Sequence, residues 1–78
     1  MSIYLMMRSF MMKNRIRIFR REKNLTQAEF AKLLDITSYR FRSLESGRAL
    51  PSQGLAMKIA EMLGVSIDQV FFIEENPG

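Results

Sequence analysis

Apolar residues return along this chain at the three- and four-residue spacing of amphipathic helices, in short runs separated by polar breaks. The first run, Asn14 to Lys23, sets Ile16 and Phe19 at i, i+3 with basic residues between them, and Asn24 interrupts it. The second carries Ala28, Phe30, Ala31, Leu33 and Leu34 and stops at Asp35. A third is expected from Ser38 to about Ser46, with Phe41 and Leu44 inward. A fourth opens near Ser52 and places Leu55, Ile59, Met62 and Leu63 on one face. A fifth is expected from Ser66 toward Phe71. Five short helices with tight connections predict an all-α domain, with short terminal β-strands possible in the β-prone stretch FFIEE.

The residues between the runs agree with this division. Thr26-Gln27-Ala28-Glu29 is a capping box, in which the Thr26 hydroxyl accepts from the Glu29 amide and Glu29 reaches back to the Thr26 amide. Ser66-Ile67-Asp68-Gln69 repeats the pattern before the fifth helix. Thr37 is placed to cap the third helix. Gly47 and Gly64 suit helix ends, whereas Gly54 sits in the first turn of the fourth helix and weakens it by about 1 kcal/mol relative to Ala.

Charge adds a direction to the picture. The chain has 78 residues and a net charge of +4. Residues 1–48 carry +7 and residues 49–78 carry −3. A basic front and an acidic back suit a polyanion on one side, although a solvated basic surface would have the same composition. Cys and His are both absent, so no disulfide and no ordinary zinc site is expected, and no cofactor either. Such a small core must hold by apolar packing, helped by dimerisation. Lack of cysteine suits a reducing cytoplasm. An enzyme is not expected: the carboxylates are scattered, and there is no glycine-rich phosphate loop.

The N-terminal stretch MSIYLMMRSFMMK is apolar but interrupted by Arg8. It lacks the basic start and small-residue cleavage site of a signal peptide, and it is shorter than the ~20 apolar residues that span a bilayer. Two readings stay open. SIYLMM is a strand or arm, or translation begins at Met11 or Met12 and residues 1–10 are an upstream extension. The expected organisation is an N-terminal extension or strand over 1–12, a domain over 13–72 and a tail over 73–78.

The segment TSYRFRSLESGR, Thr37 to Arg48, is the richest in chemistry. Wound at about 100° per residue, it sends Phe41, Leu44, Glu45 and Arg48 to one side and Tyr39, Arg42, Ser43 and Ser46 to the other. Arg40 and Gly47 lie on a flank. The outer face offers a phenol, a guanidinium and hydroxyls, with no carboxylate to repel phosphate.

From Asn14 to Phe72 the chain resembles the lambda-repressor-like (Cro/CI, XRE-type) helix-turn-helix regulators. The resemblance rests on several elements in order: Arg20, the LTQ tripeptide, a short second helix, LESGR, the Pro-Ser start and LGVS. It implies that the second helix crosses the DNA backbone and the third enters the major groove. It implies that Gln27 contacts phosphate and braces the recognition helix. Ser38, Tyr39 and Ser43 match positions that read base edges, and Arg42 an outward position close to phosphate or bases. Thr37 and Ser46 match backbone-contacting caps. Arg40 joins the DNA-facing set from the flank, and Arg48 and Lys32 are weaker phosphate candidates. Arg20 and Glu45 resemble an architectural ion pair that ties the first helix to the third.

Two residues depart from the family pattern. Asp35 stands where many members have Gly, and aspartate tolerates left-handed backbone better than most residues. Tyr39 stands where Gln or Arg is usual, and it lacks their bidentate fork. The operator of a relative therefore does not transfer.

The expected function is that of a cytoplasmic, prokaryotic or phage regulator that binds specific double-stranded DNA as a homodimer and represses transcription. Val70, Phe71, Phe72 and Ile73 are expected at the dimer interface, because a contiguous apolar tail is costly to leave in water. Closure of the monomer core would use the same residues. The alternative function is an antitoxin-type module that binds a toxin protein and its own operator. A basic domain for RNA or a membrane surface is the remaining competitor, distinguished by salt-sensitive binding without preference for a DNA sequence.

Overall fold

A computed structural model describes residues 12–73, which comprise five short helices and a two-stranded ribbon. Strand β1 (Met12–Asn14) leads into α1 (Ile16–Glu22), α2 (Gln27–Leu33), α3 (Ser38–Glu45), α4 (Gln53–Leu63), α5 (Ile67–Val70) and strand β2 (Phe71–Ile73). The strands pair antiparallel, with Met12 opposite Ile73, Lys13 opposite Phe72 and Asn14 opposite Phe71. The stretch SIYLMM and residues 74–78 lie outside the described residues. Part of FFIEE is thus a strand, and Asn14, expected to open the first helix, instead closes β1.

Helix ends are set by local chemistry. The Thr26 Oγ1 accepts from the Glu29 amide at 3.1 Å, and Glu29 Oε1 accepts from the Thr26 amide at 2.9 Å. Ser52 caps α4 by accepting from Leu55. At α5, Gln69 Oε1 accepts from the Ser66 amide at 2.8 Å. Asn24, Asp35, Gly47 and Gly64 all have positive φ just after a helix. Behind α2 the Asp35 amide donates to Lys32 and the Ile36 amide to the Ala31 carbonyl, the paired bonds of a Schellman ending. Aspartate holds this turn at φ 58°, as the sequence predicted. The corner between α2 and α3 is therefore built from main-chain bonds.

The core gathers residues from every helix, with α4 giving the most: Ala56, Ile59, Ala60 and Leu63. Ile16, Phe30, Phe41, Ile59 and Val70 are completely buried, and Ala31, Leu34, Ala56, Leu63 and Phe71 nearly so. The rings of Phe30 and Phe41 stack with centroids 5.3 Å apart and join α2 to α3. Each fully buried ring contributes about 1.5–3 kcal/mol of transfer free energy. Leu33 does not join them; it is 52 % exposed at the last turn of α2, while Leu34 takes the inward position. Ala28 is also exposed. The polar first turn and the rotation of the helix leave only Phe30, Ala31 and Leu34 of that run facing inward.

Candidate nucleic-acid interface

Glu45, at the end of α3, is the hub that fixes this helix. Its side chain is 1 % exposed and that of Arg20 8 %. Arg20 Nε donates to Glu45 Oε2 at 2.7 Å, and Nη2 donates to Oε1 at 3.2 Å. The remaining Arg20 nitrogen, Nη1, donates to the Leu25 carbonyl at 2.7 Å. Gln27 Nε2 donates to Glu45 Oε1 at 2.8 Å, and Arg17 Nε reaches the same oxygen at 3.5 Å. α1, α2 and α3 are thereby locked together by one carboxylate. Burial pushes the Glu45 carboxyl up, but hydrogen bonds from Arg20 and Gln27 and the charges of Arg20 and Arg17 outweigh it. The net effect holds the group below the usual carboxylate value. Among the described residues no buried side-chain nitrogen or oxygen lacks a partner.

With its inner side pinned, α3 turns its polar side outward. Tyr39, Arg42, Ser43, Ser46 and Arg48 line one shallow, open concavity of about 340 Å³. Tyr39 is 74 % exposed. A helical projection carries Arg48 to the inner side, whereas the family resemblance makes it a phosphate candidate. The helix stops at Glu45, Gly47 turns at φ 84°, and Ala49 donates back to the Ser43 carbonyl at 3.1 Å. That reversal brings Arg48 round to the outer face beside Arg42. Ser46 Oγ donates to the Ser43 carbonyl at 3.2 Å, so this hydroxyl caps its own helix.

The other sequence-predicted residues surround this face. Thr37 Oγ1 accepts from the Arg40 amide at 3.0 Å and opens α3, and Ser38 and Arg40 are exposed in its first turn. Lys32 is exposed near the end of α2. Gln27 starts α2 half-buried, with its amide nitrogen turned inward to Glu45, which supplies the expected brace. Asn14 and Arg17, which touch the end of α3 and Glu45, were not singled out from the sequence.

The apolar end departs from expectation. Val70 is 0 % and Phe71 4 % exposed within a single subunit, so they close the monomer core and are not available to a dimer interface. Phe72 and Ile73 are half-buried. Ile73 packs on the core, whereas the Phe72 ring lies under the Arg15 guanidinium, 4.0 Å from its centroid.

Comparison with known proteins agrees with this architecture. The family model described as helix-turn-helix matches residues 16–70. The chain belongs to the helix-turn-helix family. An uncharacterized HTH-type transcriptional regulator of Methanocaldococcus jannaschii is 38 % identical over 65 residues, covering 83 % of this chain and 98 % of the relative. The uncharacterized HTH-type transcriptional regulator YazB of Bacillus subtilis is 39 % identical over 56 residues, covering 72 % of this chain and 81 % of its own. A crystal structure of a candidate DNA-binding protein from Bacteroides fragilis superposes with a TM-score of 0.72 at 29 % identity, covering 80 % of this chain and all of that one.

The helix-turn-helix family is one of DNA-binding transcriptional regulators and not an enzyme family. Helices α2 and α3, joined by the tight corner at Asp35 and Ile36, are the two helices of the motif. No helix among the described residues is long and apolar enough to cross a membrane.

Proposed function

We propose that this helix-turn-helix chain is a sequence-specific double-stranded DNA-binding repressor that acts as a homodimer. The carrying observation is the two-sidedness of α3: a carboxylate-anchored inner edge, and an outer concavity of Tyr39, Arg42, Ser43, Ser46 and Arg48 that holds no acid. Ser38, Tyr39 and Ser43 read base edges by short donors and acceptors. The Tyr39 phenol gives one hydrogen bond or an apolar contact with a thymine methyl. Arg42, Arg40 and Arg48 neutralise phosphates along the groove walls. Gln27, Thr37 and Ser46 approach the backbone at the ends of the two helices and set the register.

One recognition helix covers only a few base pairs, so useful specificity needs two. A twofold dimer reads half-sites about 34 Å apart. The partly exposed Phe72 and Ile73, at the ribbon, support a subunit contact there. Bound across a promoter, such a dimer blocks polymerase.

Selection of duplexes from a random pool tests the reading. The expected product is an inverted repeat with half-sites about one helical turn apart. Recovery of arbitrary duplexes, with affinity that follows salt alone, would refute it. Co-purification of a neighbouring-gene product on the Phe72 and Ile73 end would support the antitoxin-type function instead.

A further inference from the structure

The ribbon and the recognition helix are distant in sequence but meet at one side chain. Asn14 closes β1 opposite Phe71. Its Oδ1 accepts from the Ile16 amide at 3.1 Å, at the opening of α1. Its Nδ2 donates to the Leu44 carbonyl at 3.1 Å and to the Glu45 carbonyl at 3.4 Å. These carbonyls sit in the last turn of α3, where helical donors run out. A residue 30 positions earlier in the chain thus caps the recognition helix. The geometry asks for an acceptor on one side and donors on the other, which a carboxamide supplies and a carboxylate does not.

We infer that Asn14 is a positioning residue for base recognition: it sets the height and tilt of α3 against α1 and the ribbon. The inference rests on the reading of α3 as the base-reading element. Glu45 and the buried Phe41 and Leu44 hold α3 through side chains, which leaves the position of its last main-chain carbonyls to be fixed. Asn14 adds a second hold on the same end, through main-chain atoms. The opposite end is held by the main-chain corner at Asp35 and Ile36. Base readout needs side chains placed to within about 0.5 Å. A small tilt at the Glu45 end therefore moves Ser43 and Tyr39 off their base edges, while flexible arginines still find phosphate.

The test compares full-length wild type with Asn14→Asp, on the duplex selected above and on its single-base variants. Aspartate keeps the acceptor for Ile16 and turns an oxygen toward the two α3 carbonyls. Discrimination between the best duplex and its variants is expected to fall about fivefold, the effect of one lost hydrogen bond on placement. The salt slope stays unchanged, because the phosphate contacts persist. A role in stability alone would reduce the folded fraction and scale every affinity equally, leaving the ratio intact. An unchanged ratio in folded Asn14→Asp overturns the inference. Asn14→Ser, whose shorter hydroxyl can cap α1 but not reach α3, decides the matter if the aspartate variant does not fold. A wild type without sequence preference would refute the reading of α3 itself; a selective wild type with an equally selective Asn14→Asp refutes this inference alone.

Discussion

Arg20 and Glu45 form a nearly dry, two-bond pair, 2.7 and 3.2 Å, between the middle of α1 and the end of α3. Either partner alone would be a buried charge without compensation. Arg20→Met leaves Glu45 with only Gln27 and a distant Arg17, and is expected to cost about 3–5 kcal/mol in urea denaturation. Retention of full stability would mean that the carboxylate does not need its partner.

The same pair predicts the acid response. The Glu45 carboxyl titrates lower in the folded chain than in the unfolded one. Its contribution is therefore fully present above the ordinary glutamate value and is lost as pH falls through the depressed folded value. Urea midpoints measured from about pH 6 to about pH 3 should drop more steeply for wild type than for Glu45→Gln. The glutamine variant is less stable throughout, but its profile is flatter; parallel profiles would assign the acid sensitivity to other carboxyls.

Tyr39 projects from α3 with little packing to lose. Tyr39→Ala is expected to leave stability within about 0.5 kcal/mol of wild type and to change the preferred base at one operator position. Repeating the duplex selection with the variant checks this, and an unaltered motif would remove Tyr39 from the base-reading set.

Arg42 is one of two guanidinium groups beside the concavity. Arg42→Ala should weaken binding to all duplexes and lower the slope of log affinity against log salt by about one ion. A titration series at several salt concentrations measures it. A slope equal to wild type would mean that Arg42 does not sit on phosphate.

Asp35 occupies left-handed backbone at φ 58°. Asp35→Gly removes the Cβ penalty and is expected to raise stability by about 0.5–1 kcal/mol, read as a higher melting temperature. Loss of the negative charge near the motif should also tighten DNA binding at low salt. A destabilised glycine variant would show that aspartate contributes more to the turn than its backbone tolerance.

The parts of this molecule that were legible in the sequence are those decided within a few residues. Capping boxes, the breaks at Asn24 and Asp35, and the inward pair Phe41 and Leu44 all follow from local rules. The Arg20–Glu45 pair spans 25 residues and became visible only through the family resemblance. Three-residue strands have no period to detect, so the ribbon displaced the expected start of the first helix from Asn14 to Ile16. Asn14 itself looked like an ordinary helix opener, because its partners on α3 are fixed by tertiary packing. Val70 and Phe71 have two apolar destinations, core or partner, and composition alone does not separate them; the end of α5 turns Val70 and the first residue of β2 turns Phe71 into the core. A helical projection alone sends Arg48 inward because it continues past Gly47, where the chain reverses; only the family resemblance puts it with the phosphate candidates.

The main-chain corner at Asp35 and Ile36 has a thermodynamic corollary. A helix posed before its ligand arrives has no disorder to surrender, so association should resemble two rigid bodies meeting. Calorimetry across temperature should then return a modest negative heat-capacity change, scaled to the contact area and lacking the excess that accompanies folding on the template.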